Sequence, residues 1–238
     1  MSTLYPNTSP ALGASTQHQG PALPAPWTLR GNGVIVVIKP RHGDLRHDQA
    51  IPDDIRSTLK SPLSVLMFVN YTESNAGPYQ ELLFIPGTCD FSGKRLATIS
   101  NIYVSTQSSV DHGRSNWGIP KQRCEFTQTQ PEQGHVRTIA SIDGVPFFDL
   151  QTSSLGPRLP INTAWVPSFL KTLGQRMNGR QFVYSPQARG RSRLARIHKL
   201  QSMDNHFPHL SSADVVTALE ITDFEMVFPV PDIRDVVI

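Results

Sequence analysis

The residues best placed by type and spacing to do chemistry lie between Asn101 and Phe126, in NIYVSTQSSVDHGRSNWGIPKQRCEF. An apolar, strand-like run, Ile102-Tyr103-Val104, leads into a polar segment punctuated by Gly113, and then into Trp117-Gly118-Ile119-Pro120-Lys121. Proline fixes its own φ and biases the residue before it toward extended geometry, so Lys121 leaves this turn in few directions. Trp117 and Ile119 put apolar bulk beside it, and an amine in apolar surroundings loses the solvation that favours its charged form. A neutral lysine is a nucleophile for a carbonyl carbon. The plain alternative is an ordinary surface lysine at a turn.

Glu81 is the second candidate. It sits in Gly77-Pro78-Tyr79-Gln80-Glu81, inside an otherwise apolar strand-like run that continues to Ile85. A carboxylate there faces solvent or lines an interior. Arg114 follows Gly113, and its planar fork suits a substrate carboxylate; an ion pair with Asp111 is the structural reading. The histidines are scattered. His206-x-x-His209 lacks a third ligand at motif spacing, so a surface loop is the simpler account, and His42 and His47 lie in a polar loop. No glycine-rich phosphate loop, no G-x-S-x-G and no paired-carboxylate spacing stands out.

These motifs together resemble the acetoacetate decarboxylase family, whose members carry an Ile-Tyr-Val strand, a Gly-Arg segment and an aromatic-Gly-x-Pro-Lys-Lys turn. Here they read Ile102-Tyr103-Val104, Gly113-Arg114 and Trp117-Gly118-Ile119-Pro120-Lys121-Gln122. The resemblance covers most of the chain from about Trp27 onward, and includes Gly190-Arg191-Ser192-Arg193-Leu194 and the Phe224-x-x-x-Phe228-Pro229 ending. It implies a cone-shaped β-barrel, a Schiff base between Lys121 and a keto acid, an active-site glutamate at Glu81 lining the barrel lumen, no cofactor, and a homo-oligomer. Acetoacetate decarboxylase is itself the standard example of a lysine activated in this way. Two departures stand out. The family's second lysine, which helps keep the first neutral, is Gln122 here. Its second glutamate falls near Leu66, where there is no acid. An early arginine of the family falls loosely at Lys39 or Arg41. With Gln122 uncharged, burial must keep Lys121 neutral, while Gln122 can donate a hydrogen bond to substrate. Lys121 and Glu81 are therefore the expected catalytic pair, with Gln122, Trp117, Arg114 and Tyr103 as expected substrate contacts and no metal.

The elements that position these groups read mainly as short strands. Gly33 to Ile38, Val65 to Tyr71, Tyr79 to Ile85, Ala97 to Ser105, Arg123 to Gln128, His135 to Ile142, Val145 to Leu150, Gln181 to Tyr184, Arg191 to Leu200 and Val215 to Phe228 are apolar, β-branched or alternating. Glu73 to Pro78, Pro86-Gly87-Thr88, Gln130 to Gly134, Asp143-Gly144 and Asp204 to Pro208 read as turns and loops, and Pro157 to Pro160 as irregular. A helical turn is expected around Asp53 to Leu59, and a short helix or extended segment over Trp165 to Leu173. Strands at this spacing predict a mainly β fold built on a large antiparallel sheet with few short helices, and the resemblance implies that the sheet closes into a cone-shaped barrel. Residues 1–26, rich in Ser, Thr, Pro, Gly and Ala, form a low-complexity lead, and 27–238 a single domain.

Composition narrows the function classes. Charged residues are 17%, and 20 prolines and 16 glycines suit turns better than long helices. The net charge of +3 is small for 238 residues and calls for no nucleic acid; no basic run interleaves with aromatics. No apolar run approaches the ~20 residues that span a bilayer. Cys89 and Cys124 have no metal-type spacing, and two free thiols in a reducing compartment are simpler than one disulfide. A cytoplasmic, Schiff-base lyase acting on a small keto acid or related carbonyl compound, by decarboxylation or aldol-type chemistry, is the expected function. A non-catalytic barrel binding a small organic acid or apolar metabolite is its rival, and a protein used only for assembly is a third reading.

Overall fold

The computed structural model describes residues 22–39, 45, 50–203 and 206–236. Most of the low-complexity lead, Arg41, His42 and His47, and the start of the expected loop at Asp204 lie outside them. In chain order the elements are Trp27–Ile38 (β1), Asp53–Arg56 (α1), Ser64–Glu73 (β2), Tyr79–Ile85 (β3), Gly87–Phe91 (β4), Lys94–Thr98 (β5), Asn101–Val104 (β6), Gln107–Trp117 (α2), Gln122–Arg123 (β7), Glu125–Thr129 (β8), His135–Ile142 (β9), Val145–Asn162 (β10), Ser168–Lys171 (α3), Leu173–Met177 (β11), Arg180–Tyr184 (β12), Gln187–Ser202 (β13), Val215–Phe228 (β14) and Asp232–Asp235 (β15).

A ten-stranded sheet runs β7-β6-β3-β2-β1-β14-β13-β10-β9-β8, and a five-stranded sheet runs β15-β12-β11-β5-β4. The two outermost strands of the large sheet, β7 and β8, are consecutive in the chain and separated only by Cys124, whose N–H donates to Val104 O at 3.1 Å. The sheet thereby curls into a nearly closed barrel. Amide side chains reinforce the seam: Asn70 Nδ2 donates to Gln128 Oε1 at 2.9 Å, Gln80 Nε2 to Asn70 Oδ1 at 3.0 Å, and Gln128 Nε2 to Thr138 Oγ1 at 3.1 Å. Pairing is antiparallel except at β6–β7 and β5–β11.

Strand residues alternate between two faces, and the alternation separates two cores. Val34, Val36, Ile38, Leu66, Phe68, Leu82, Phe84, Tyr103, Phe148, Leu150 and Ala218 fill the inside of the curled sheet. Trp27, Leu29, Val69, Tyr71, Tyr79, Leu83, Val104 and Phe224 point the other way, where α2 and the small sheet cover them with Val110, Trp117, Ile119, Phe182 and Tyr184. Being buried on both faces, β2 and β3 read as near-continuous apolar runs.

Several expectations change. The polar segment after β6 is a helix, α2. Thr106 caps it, accepting from Ser109 N, and Gly118 ends it at φ 63°. Its buried face is Ser109, Val110, Gly113 and Trp117, mostly small or polar side chains, so no apolar stripe marks it in the sequence. Ala97 to Ser105 is two strands in different sheets, β5 and β6. Pro86-Gly87-Thr88 opens β4 instead of only turning. Pro157 to Pro160 lies inside β10, with a register shift between Leu155 and Leu159. Beyond Ser153 β10 has lost its β9 partner, and a free edge tolerates the missing proline donors.

Candidate active site

Lys121 reaches its place because the chain folds back over the end of α2. Gly118 N donates to Arg114 O at 3.0 Å and Ile119 N to Gly113 O at 3.4 Å. Arg114 Nε then donates to Lys121 O at 2.8 Å, tying the turn to the helix it has just left. The lysine side chain lies directly along Gly113. A Cβ built there would stand 2.5 Å from Lys121 Cδ and 2.8 Å from Cε, so only glycine leaves the groove open. On the far side the Phe182 ring closes over Gly118, where an added Cβ would lie 2.5 Å from it.

The lysine ends on a carboxylate. Nζ lies 2.7 Å from Glu81 Oε2 and donates to Ser109 Oγ at 3.0 Å, with the Tyr79 ring centroid 5.1 Å away. Glu81 Oε1 accepts from Tyr71 OH at 3.0 Å. Lys121 is 4% exposed and Glu81 3%. Lys39, Lys60 and Lys94, by contrast, are exposed. The pair therefore sits out of water with its polar atoms served by Ser109 and Tyr71. A buried ion pair contributes little net stability, because desolvation offsets its attraction. Burial pushes the Tyr71 and Tyr79 phenols well above their usual range, and the Glu81 charge adds to it. Both therefore remain protonated.

This geometry changes the expected surroundings of Lys121. Apolar groups do bury it, but Nζ itself meets a carboxylate and a hydroxyl. Glu81 differs too, because it does not face the inside of the curled sheet. Strand alternation places it with Tyr79 and Leu83 on the face covered by α2 and β12, while Leu82 and Phe84 face inside. Of the expected substrate contacts, Arg114 is exposed and is engaged by the Lys121 backbone, and Asp111 accepts from Gln107 instead. Trp117 packs edge-on against Trp27 and Phe228 and donates its indole N–H to Pro229 O at 2.7 Å. Tyr103 lies in the other core, donating to His206 O at 2.7 Å. Gln122 is exposed on β7. None of these four brings a side-chain polar atom to Lys121 Nζ among the described contacts.

Ser109, Tyr71 and Tyr79 were not assigned to the site from the sequence, and Gly113 was read only as punctuation and as part of the Gly-Arg motif. Tyr79 was legible, because residues two apart on a strand share a face with Glu81. Tyr71 follows if β2 and β3 pair, since Tyr71 stands opposite Tyr79. Ser109 and Gly113 are four residues apart, one helical turn, but that signal appears only once the segment is known to be helical.

A cavity of about 1100 Å³ opens elsewhere, lined by Phe68, Asn70, Gln128, Thr138, Arg158 and Phe224 among others; neither Lys121 nor Glu81 lines it. Phe224 connects the two regions, as its ring packs edge-on against Tyr71 with centroids 5.9 Å apart.

The sequence model of the family described as acetoacetate decarboxylase (ADC) matches residues 21–201. No curated protein sequence matches the chain. Among solved structures, acetoacetate decarboxylase from Legionella pneumophila superposes with a TM-score of 0.65 at 13% identity, over 94% of this chain and 98% of that one. An acetoacetate decarboxylase-like enzyme from Sphingomonas wittichii RW1 gives 0.64 at 13% identity, over 95% and 100%. The enduracididine biosynthesis enzyme MppR, complexed with the condensation product of pyruvate and imidazole 4-carboxaldehyde, gives 0.62 at 13% identity, over 97% and 99%.

Proposed function

The chain belongs to the acetoacetate decarboxylase family, and on that premise we propose that it acts on a keto acid through a Schiff base on Lys121. The observation that carries the reading is the Lys121 amine, buried and held 2.7 Å from Glu81 Oε2 and 3.0 Å from Ser109 Oγ. Of the pair, Glu81 is the base that takes a proton from Nζ, leaving the nitrogen lone pair free to attack the ketone carbon. The C–N bond forms and the carbonyl oxygen leaves as water. The iminium nitrogen then accepts an electron pair from the neighbouring bond. In a β-keto acid that bond joins the carboxylate carbon, so carbon dioxide leaves and an enamine remains. The enamine carbon takes a proton, and water hydrolyses the iminium to ketone and free lysine. With an α-keto acid the iminium loses a proton from the neighbouring carbon, giving an enamine that keeps its carboxylate and can add to an aldehyde. MppR's complex with a pyruvate–aldehyde condensation product favours including this second course.

The test is reductive trapping with borohydride in the presence of pyruvate or acetoacetate, followed by peptide mapping. A mass increment on Lys121 supports the reading. A specific observation favours the rival, a non-catalytic barrel that binds a small organic acid or apolar metabolite: the amine is already paired and excluded from water. Under that reading a Lys121→Met variant retains ligand affinity, whereas the enzyme reading requires it to lose trapping.

A further inference from the structure

The cavity of about 1100 Å³ opens on the inside of the curled sheet, where Val34, Phe68 and Leu150 of the inner core form its buried lining. Neither Lys121 nor Glu81 lines it. Strand pairing sets a ladder of charges along its wall. On β13, Arg189 stands opposite Glu225 of β14, and Arg193 opposite Glu220. Both couples form ion pairs, Arg189 with Glu225 at 2.8 Å. Arg30 of β1 and Arg158 of β10, also on the lining, reach Glu225 at 2.8 Å and Glu220 at 4.0 Å. Opposite charges facing each other across antiparallel strands attract, so each of these arginines is matched.

The middle rung is different. Arg191 lines the cavity, and the residues opposite it, Pro160 on β10 and Thr222 on β14, carry no charge. It makes no ion pair among the described residues. The same end of the β10–β13 pair presents Trp165. The turn that carries it is tied to β13, Ala188 N donating to Thr163 Oγ1 at 2.8 Å. Trp165 lines the cavity and is 71% exposed, whereas Trp27 and Trp117 are buried. A broad aromatic face and an unmatched guanidinium therefore share one rim. Asp223, exposed and at φ 50°, is the other lining charge without an ion pair among the described residues.

We propose that this cavity is a second ligand site, separate from Lys121, that takes a small aromatic carboxylate. Arg191 holds the carboxylate and Trp165 covers the ring. A planar guanidinium fork matches a carboxylate with two parallel N–H···O bonds. An indole face stacks on a flat ring, and the apolar lining of Val34, Phe68 and Leu150 receives the rest of the ligand. The neighbouring arginines do not compete for it, because Glu220 and Glu225 already occupy them. A cationic ligand would be drawn to Asp223 instead, and the test separates the two. The inference does not depend on Lys121 forming a Schiff base.

The experiment is calorimetric titration of the full chain with phenylacetate, its neutral amide phenylacetamide and the cation phenethylamine, with tryptophan emission followed in parallel. Wild type is expected to bind phenylacetate more tightly than either analogue, by roughly 10-fold or more. Its emission moves to shorter wavelength as Trp165 leaves water. Arg191→Gln weakens phenylacetate binding roughly 10- to 100-fold and leaves Tm unchanged, since the guanidinium has no ion pair to lose. Trp165→Ala removes the emission shift, and Lys121→Met/Glu81→Gln keeps wild-type affinity. A wild type that does not bind phenylacetate overturns the proposal. So do equal affinity in Arg191→Gln, tighter binding of phenethylamine, and an emission shift that survives Trp165→Ala. Loss of binding in Lys121→Met/Glu81→Gln overturns it too, because the ligand would then lie at the lysine. A wild type that fails borohydride trapping leaves this site standing, so the two readings fail separately.

Discussion

At Lys121 the energetics turn on keeping two buried charges together. Removing one partner strands the other, and a buried unpaired charge costs about 3–5 kcal/mol. Lys121→Met is therefore expected to destabilise the fold by roughly that amount, read by urea denaturation. The double variant Lys121→Met/Glu81→Gln is expected to recover much of the loss, since neither charge remains. A double-mutant cycle with no coupling between the two sites would contradict the pairing. The double variant is also the better folded control for trapping. At this scale the sequence was partly legible. Lys121 and Glu81 stand out from the turn chemistry and from an acid inside an apolar run. Their direct contact does not, because they lie 40 positions apart in the chain and nothing local encodes the approach. Gln122 adjoins Lys121 in the chain and Tyr103 belongs to the same family motif, yet Gln122 is exposed and Tyr103 lies in the other core.

At the scale of elements, α2 carries the site. Thr106 caps its first turn, and Thr106→Ala is expected to cost about 1 kcal/mol, measurable as a lower urea midpoint. Gly113 gives a sharper test. Alanine is favoured over glycine inside a helix by about 1 kcal/mol, so propensity alone predicts a gain from Gly113→Ala. The Cβ would stand 2.5 Å from Lys121 Cδ in a closed groove, and overpacking costs about 1–3 kcal/mol. The expected outcome is a less stable protein with slower trapping at Lys121; a more stable variant with wild-type trapping would refute the groove. The helix was hidden in the sequence because Ser109 and Gly113 replace the apolar residues that usually mark a buried face. By contrast β3, β9 and β14 have the residue bounds read from the sequence, β3 as a near-continuous apolar run and β9 and β14 by alternation, with turn or proline residues at or near their ends.

At the scale of the whole molecule, closure of the large sheet is testable through its seam. Burial pushes the Cys124 thiol up to about 12 and the Cys89 thiol up to about 11. Thiolates are the reactive form, so neither cysteine is expected to react with iodoacetamide near pH 8 until the protein unfolds. Prompt labelling of Cys124 in the native protein, read by intact mass, would mean an open seam. A second test links three strands of the large sheet. Asp149 on β10 binds Arg137 of β9 at 2.7 Å and Lys199 of β13 at 2.5 Å. The Arg137 guanidinium, with help from Lys199, holds the Asp149 carboxyl below its usual 3.8 despite partial burial. A carboxyl whose folded pKa is depressed stabilises the fold above the ordinary value and loses that contribution as pH falls through the folded one. The stability gap between wild type and Asp149→Asn is thus expected to be full near pH 6 and to close below about 3.8; a gap that widens in acid would contradict it. The large antiparallel sheet was legible from strand spacing, and its closure into a barrel from the family resemblance. The division into two sheets was not, because β5 and β6 read as one continuous run and only the break at Ile99-Ser100 sends them to different sheets.

The central claim is that Lys121 forms a covalent bond with substrate. Borohydride reduction with a panel of keto acids, read by intact mass and peptide mapping, tests it most directly. A single increment on Lys121 is expected, absent from the Lys121→Met/Glu81→Gln variant. No adduct from a protein shown to be folded, or an adduct on an exposed lysine such as Lys60 or Lys94, would contradict it.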